Sequence, residues 1–184
     1  MNVTGLIAVS LLWIATLAGM ALSGLGFVDS RPISYLGVAA ESGTFFNTLL
    51  FMSAVFFALF AVRLYSVYKA GIAFLVVYLV GQTGQAVAAI FKYGGEDKII
   101  HTTAAFILAA SIPAAMYLFA KSRPTGVPGN SLRYFVIAEM IGFVVGIGAF
   151  ILTEGIAPIA EILPALPFHI WVFYMTAQLS RIEK

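Results

Sequence analysis

Residues 29–47 read DSRPISYLGVAAESGTFFN, and they form the longest polar interruption in the first third of an apolar chain. The stretch mixes Asp29, Arg31, Glu41 and Asn47 with Pro32, Tyr35, Gly37 and Gly43. On each side lies a segment long enough to cross a bilayer, which takes about 20 mostly apolar residues. Read as the connection between two membrane spans, it places the whole chain in the polytopic membrane class.

Composition agrees. The 184 residues are 61% hydrophobic and 10% charged, with a mean hydropathy of +1.01. A soluble domain carries about 25% charged residues, and so few charges cannot cover the surface of a soluble fold this size. The connections are short and leave no room for a separate soluble domain. No cysteine is present, which excludes disulfides, thiolate metal sites, iron–sulfur clusters and cysteine nucleophiles. The net charge of +2 gives no case for nucleic-acid binding. The N-terminal MNVTGLIAVSLLWIATLAGM has no Lys or Arg ahead of its apolar run, so it reads as a retained first span and not as a signal peptide.

The expected fold is all-α, one integral membrane domain over residues 1–184, with six helices at about 5–27, 43–65, 69–91, 99–120, 132–152 and 159–179. On the first, Ala15, Gly19 and Ser23 repeat every four residues and would let a neighbouring backbone pack closely. Pro113 lies inside the fourth and should kink it, with Ser111 placed to satisfy the freed carbonyl. The fifth holds Gly142 and Gly146 as a GxxxG pair, a surface for docking on other membrane chains. Pro164 and Pro167 stand near the start of the sixth. If that helix began only at Pro167 it would be too short to span untilted, and Thr153–Leu166 would be a re-entrant or interfacial piece.

Lys/Arg bias sets the orientation. Arg63, Lys69, Lys121, Arg123, Arg133, Arg181 and Lys184 fall on the side of the N-terminus, seven in all, against Arg31, Lys92 and Lys98 on the other. Both termini are therefore expected in the cytoplasm, with the chain in the cell membrane. The outer side receives Asp29, Glu41, Glu96, Asp97, Glu154 and Glu161. The basic hairpin KSRPTGVPGNSLR (Lys121–Arg133) reads first as a connector facing anionic head groups, and second as a partner site. The two halves share no motif, so an inverted repeat has no support beyond the even number of helices.

Polar residues inside the spans are the candidate site. Glu139 and His169 are ionisable residues at membrane depth, which is costly and points to function. Glu139 lies seven residues into the fifth helix, about 10 Å deep, and His169 ten residues into the sixth, about 15 Å. Together they could form a proton relay; the plainer alternative is a neutral or interhelically bonded carboxyl and a satisfied interior histidine. A second group gathers toward the outer half: Asn47, Gln82 and Gln85 (three apart, hence on one face) and His101, with Tyr35, Glu41 and Glu161 in the loops. These could line an outward-facing polar pocket, or each could form its own interhelical hydrogen bond. No metal site is expected, since HxxxH and HExxH spacings are absent and His101 and His169 stand on different helices. The same separation argues against haem, and no cofactor is expected. There is no GxSxG, and Ser10, Ser53 and Ser66 have no adjacent base.

Several short motifs carry a likeness. PISYLG at Pro32–Gly37, FFN at Phe45–Asn47 and Leu64–Tyr65 are three of them. His101 opening a helix with AAFILAASIP (Ala104–Pro113), then APIAEIL from Ala157 to Leu163 and Ile170–Trp171, are the others. With these the chain resembles the prokaryotic domain-of-unknown-function family 998. The resemblance spans nearly the whole chain and implies a six-helix integral membrane protein without implying an activity. It singles out Pro32, Ser34, Tyr35, Gly37, Asn47, His101 and Glu161, and does not extend to Glu139 or His169.

Three functional readings follow. The first is a bundle whose outward-facing pocket binds or moves a small molecule or lipid, with proton coupling through Glu139 and His169. The second is a non-catalytic accessory or scaffold subunit that docks on other membrane subunits or on copies of itself. The third, an enzyme, would be a membrane-embedded hydrolase using His101, Glu161 and Asn47.

Overall fold

In a computed structural model of the chain, which describes residues 3–27, 29–152 and 158–182, the first apolar run leaves helix at Gly24. Gly24 takes a left-handed backbone (φ 69°), a turn that costs a residue without a Cβ little. Helix α1 is therefore Thr4–Ser23 and stops short of the expected Phe27. The others are α2 (Gly43–Tyr68), α3 (Ile72–Ile90), α4 (Lys98–Lys121), α5 (Gly129–Leu152) and α6 (Pro158–Ile182). Lys69 is left-handed (φ 52°) and turns the chain between α2 and α3, which is why α3 starts at Ile72 and not at Lys69. Two short 3₁₀ turns, Ile33–Gly37 and Gly95–Asp97, lie in the connections before α2 and α4. Each of the six helices has an apolar stretch long enough to cross a bilayer, with mean hydropathy from 1.3 to 2.2. The protein is all-α among the described residues and of the multi-pass membrane class.

α6 begins at Pro158, a residue suited to a first helical position because its missing N–H has no partner there anyway. It runs through Pro164 and Pro167 to Ile182 as one helix. Of the re-entrant piece considered above, Thr153–Ala157 lies outside the described residues, as do Glu154 and Lys184. α4 likewise continues through Pro113.

Consecutive helices pack side by side and α1 meets α6. The inner part of α6 reaches into the middle. Its Phe168 ring lies 5.1 Å from Phe57 of α2 and 6.1 Å from Tyr78 of α3. Its Trp171 lies 6.1 Å from Phe60 of α2 and 5.7 Å from Phe119 of α4. α5 is the outermost helix, with 17% of its apolar window buried against 33–44% for the others.

Two expected interfaces are occupied differently. The small-residue face of α1 receives a side chain and not a helix backbone: Leu36 of the Ile33–Gly37 turn fills it, its Cδ1 3.1 Å from where a Cβ on Gly19 would stand. The GxxxG pair of α5 faces inward. A Cβ on Gly146 would stand 2.9 Å from the Ala160 carbonyl oxygen of α6, and one on Gly142 would stand 3.0 Å from that of Leu163. This face is used within the monomer, so it is not the docking surface the motif suggested.

Candidate functional site

Two polar layers lie along the bundle. The first caps the end that carries the Ile33–Gly37 turn. Leu36, fully buried, anchors that turn between α1 and α2. Its carbonyls are taken up by side chains from the start of α2: Ser42 Oγ donates to Leu36 O at 2.9 Å and Asn47 Nδ2 donates to Gly37 O at 2.9 Å. The chain can pass this close because Gly43 has no Cβ, which would stand 2.8 Å from Gly37 O. Ser34 joins the turn to α6: its N–H and Oγ donate to the Glu161 carboxylate at 3.2 and 3.3 Å. Arg31 lies over the Tyr35 ring, 4.9 Å from its centroid, and donates from Nε and Nη2 to the two Asp29 carboxylate oxygens at 3.0 and 2.9 Å. The Arg31 hydrogen bonds hold the Asp29 carboxyl down at about 2. The same pairing raises the Arg31 guanidinium.

The expected outer residues divide among interfaces. Tyr35, Asn47 and Glu161 come together around the turn. Gln85 instead donates from Nε2 to Leu50 O of α2 at 3.1 Å. His101 caps α3: its Nδ1 lies 2.9 Å from Ala88 O and 2.8 Å from Phe91 O. Carbonyls only accept, so Nδ1 carries the proton and serves carbonyls at a helix end that lack an intrahelical donor. Tyr93 packs its ring at 5.5 Å against this imidazole.

The second layer is interior. Gln82, Glu139 and His169 are 3%, 2% and 4% exposed. Among the described residues, both polar atoms of Gln82, Oε2 of Glu139 and Nδ1 of His169 have no hydrogen-bond partner within the protein. The Glu139 carboxyl is directed at the backbone of Phe168 in α6. His169 follows Phe168 in the chain, and its ring meets Trp13 of α1 edge-on at 5.9 Å and stacks parallel to Phe57 of α2 at 6.4 Å. Phe168 leans on Tyr78, whose hydroxyl is also buried without a partner. Phe168 is thus approached by Tyr78 of α3 and by the Glu139 carboxyl of α5.

Sequence reasoning missed Tyr78, which belongs to this layer, and Thr176, which lies about 10 Å further along α6. Tyr78 lies four residues before Gln82 and Thr176 seven after His169, so each shares a helix face with a residue already singled out. Thr176 Oγ1 is buried and unbonded as well.

Two grooves open on the bundle surface. One, of about 440 Å³, runs between α3 and α4 past Thr83, Gly84 and Thr103; the other, of about 350 Å³, lies along the Ile137–Ile141–Val144 face of α5. Neither is lined by a residue of the interior layer or the cap. Among the described residues no three His, Cys, Asp or Glu side chains converge as metal ligands. Compared with protein-family models, curated proteins and solved structures, the chain matches none.

Proposed function

We propose that this protein binds and moves a small polar molecule or a lipid head group through the middle of its bundle, with Glu139 and His169 exchanging a proton with it. One observation carries the reading: buried polar side chains on three spans, Gln82, Glu139 and His169, have hydrogen-bonding atoms with no partner among the described residues. An unpaired buried polar atom costs about 1–3 kcal/mol, and more is at stake for an ionisable group inside a bilayer. Gln85 and His101, by contrast, are bonded to backbone carbonyls. Gln82 offers donors and an acceptor, and Tyr78 a hydroxyl that does both, so the layer suits a ligand with mixed polarity.

The solute would enter from the end capped by the Ile33–Gly37 turn. Asp29, Glu41, Glu96, Asp97 and Glu161 stand at this end, and the basic-residue bias makes it the outer one, with both termini in the cytoplasm of a cell. The likeness to family 998 belongs to the same proposal. Its residues Pro32, Ser34, Tyr35, Gly37, Asn47, His101 and Glu161 all fall in the capping layer or beside it.

A thermal-stability titration tests this. Detergent-solubilised protein is heated with amino acids, monosaccharides and glycerophosphodiesters in turn. A bound probe at a hundred times its Kd stabilises by about 2.7 kcal/mol. At least one probe should raise the melting temperature of the wild type and fail to do so for Glu139→Gln or Gln82→Leu. A shift that survives both substitutions would place binding elsewhere.

The accessory-subunit reading draws on α5. Its outward Ile137, Ile141 and Val144 are 55%, 59% and 63% exposed, a broad apolar face that lipid or a second membrane chain would cover. The hydrolase reading is weaker, because Nδ1 of His101 is engaged with α3 carbonyls, Asn47 with Gly37 and Glu161 with Ser34.

A further inference from the structure

Gln82, Glu139 and His169 are almost wholly buried and line neither of the two grooves, so a solute site there needs a second conformation. α6 is divided in a way that supplies one. The α6 residues of the large core cluster, from Phe168 to Leu179, all lie beyond Pro167; Pro158 and Ala160 are buried too, but outside that cluster. None of the ten residues Pro158–Pro167 belongs to either core cluster. That outer segment is held in two other ways. Its backbone rests on the glycines of α5, and its Glu161 accepts the two Ser34 hydrogen bonds.

The junction between the two parts is weak by construction. Pro164 and Pro167 have no N–H, so the carbonyls of Ala160 and Leu163 lose their intrahelical donors within one turn. Both carbonyls turn to α5, where Gly146 and Gly142 come close enough for Cα–H contacts and little else. Such contacts are about half as strong as the ladder bonds they stand in for, and they can be broken and remade by a small lateral movement. His169 follows this junction directly, and Glu139 lies one turn of α5 from Gly142.

We propose that Pro158–Pro167 is a hinged gate, pivoting at Pro164–Pro167 and latched to the Ile33–Gly37 turn through Ser34 and Glu161, whose opening connects the capped end of the bundle to His169 and Glu139. This deepens the solute-site reading and rests on it for its purpose, but its motion can be measured alone.

Because the chain has no cysteine, His169→Cys and Glu139→Cys each give a single reporter thiol. Each is reacted with a membrane-impermeant methanethiosulfonate in otherwise wild-type protein, in a Pro164→Ala/Pro167→Ala background and in a Glu161→Ala background. Restoring two backbone hydrogen bonds should slow labelling roughly tenfold. Removing the latch acceptor should speed it severalfold. Hydrogen exchange on protein without a reporter guards against misfolded variants. The amides of Ala165, Leu166 and Phe168 should exchange faster than those at 171–179, and the double alanine variant should erase most of the difference. Labelling rates and exchange that are indifferent to the prolines, or faster labelling in the double alanine variant, would overturn the gate. Labelling that obeys the hinge while no probe binds would keep the gate and discard the solute site. Probe binding at Glu139 with labelling indifferent to the hinge would do the reverse.

Discussion

Replacing Gly146 by alanine tests the packing of α5 on α6 in one step. The new Cβ would stand 2.9 Å from the Ala160 carbonyl oxygen, 3.1 Å from Pro164 Cδ and 3.2 Å from Pro164 Cγ. Carbon atoms sit comfortably at about 3.5–4.0 Å, so a movement of about half an ångström is required. None of the three atoms can rotate away: one is backbone and two belong to a proline ring. Overpacking of this kind costs about 1–3 kcal/mol. The mutation also removes a glycine from a helix, worth about 0.8–1.0 kcal/mol in the opposite direction. Gly148, two residues on in the same helix, has no atom of the described residues within 4 Å of its would-be Cβ, so Gly148→Ala collects the propensity gain without that clash. The difference between the two variants isolates the contact, and Gly146→Ala should be the less stable by about 1–3 kcal/mol. Equilibrium unfolding in mixed micelles with rising dodecyl sulfate, followed by helicity, measures it. If the two variants unfold at the same detergent fraction, α5 does not pack on α6 as described. If instead Gly146→Ala leaves stability intact and breaks an oligomer, the GxxxG pair is a docking face after all.

Three further outcomes follow from named contacts. Gln85→Leu removes the bond to Leu50 O and should lower stability by about 0.5–1.5 kcal/mol in the same titration, the usual range for an interhelical bond in a membrane. His101→Ala leaves the Ala88 and Phe91 carbonyls without their donor; it should cost about 1–2 kcal/mol and speed hydrogen exchange in the last turn of α3 and not in the first. The Asp29 carboxyl, held at about 2 by Arg31, lies below the ordinary 3.8, so the ionised form is favoured by folding. Its contribution is complete above about 3.8 and is lost as the pH falls through about 2, and an NMR titration should find the midpoint moving back toward 3.8 in Arg31→Gln. The pair is at the surface, so salt should blunt the effect.

The fold was legible because apolar run length sets a span almost by itself. All six helices lie where the runs are, and the differences are at the ends. Gly24 and Lys69 take left-handed backbones that hydropathy does not register, which moved the end of α1 and the start of α3. Glu139 and His169 were visible as charges where charges are expensive, and both are buried. The grouping of Asn47, Gln82, Gln85 and His101 was less legible. Shared depth in a bilayer says nothing of rotation about the helix axis, and rotation is what gave Gln85 to α2, His101 to the end of α3 and Gln82 to the interior. The GxxxG pair shows the same limit: spacing identifies a face open to close approach, and only the prolines of α6 explain which neighbour takes it.

The central claim is a solute site among Gln82, Glu139 and His169. Native mass spectrometry of the gently extracted protein tests it most directly. The account predicts a small molecule or lipid retained on the wild type and lost from Glu139→Gln. A ligand-free chain held in a larger assembly of membrane subunits would contradict it and favour the accessory role.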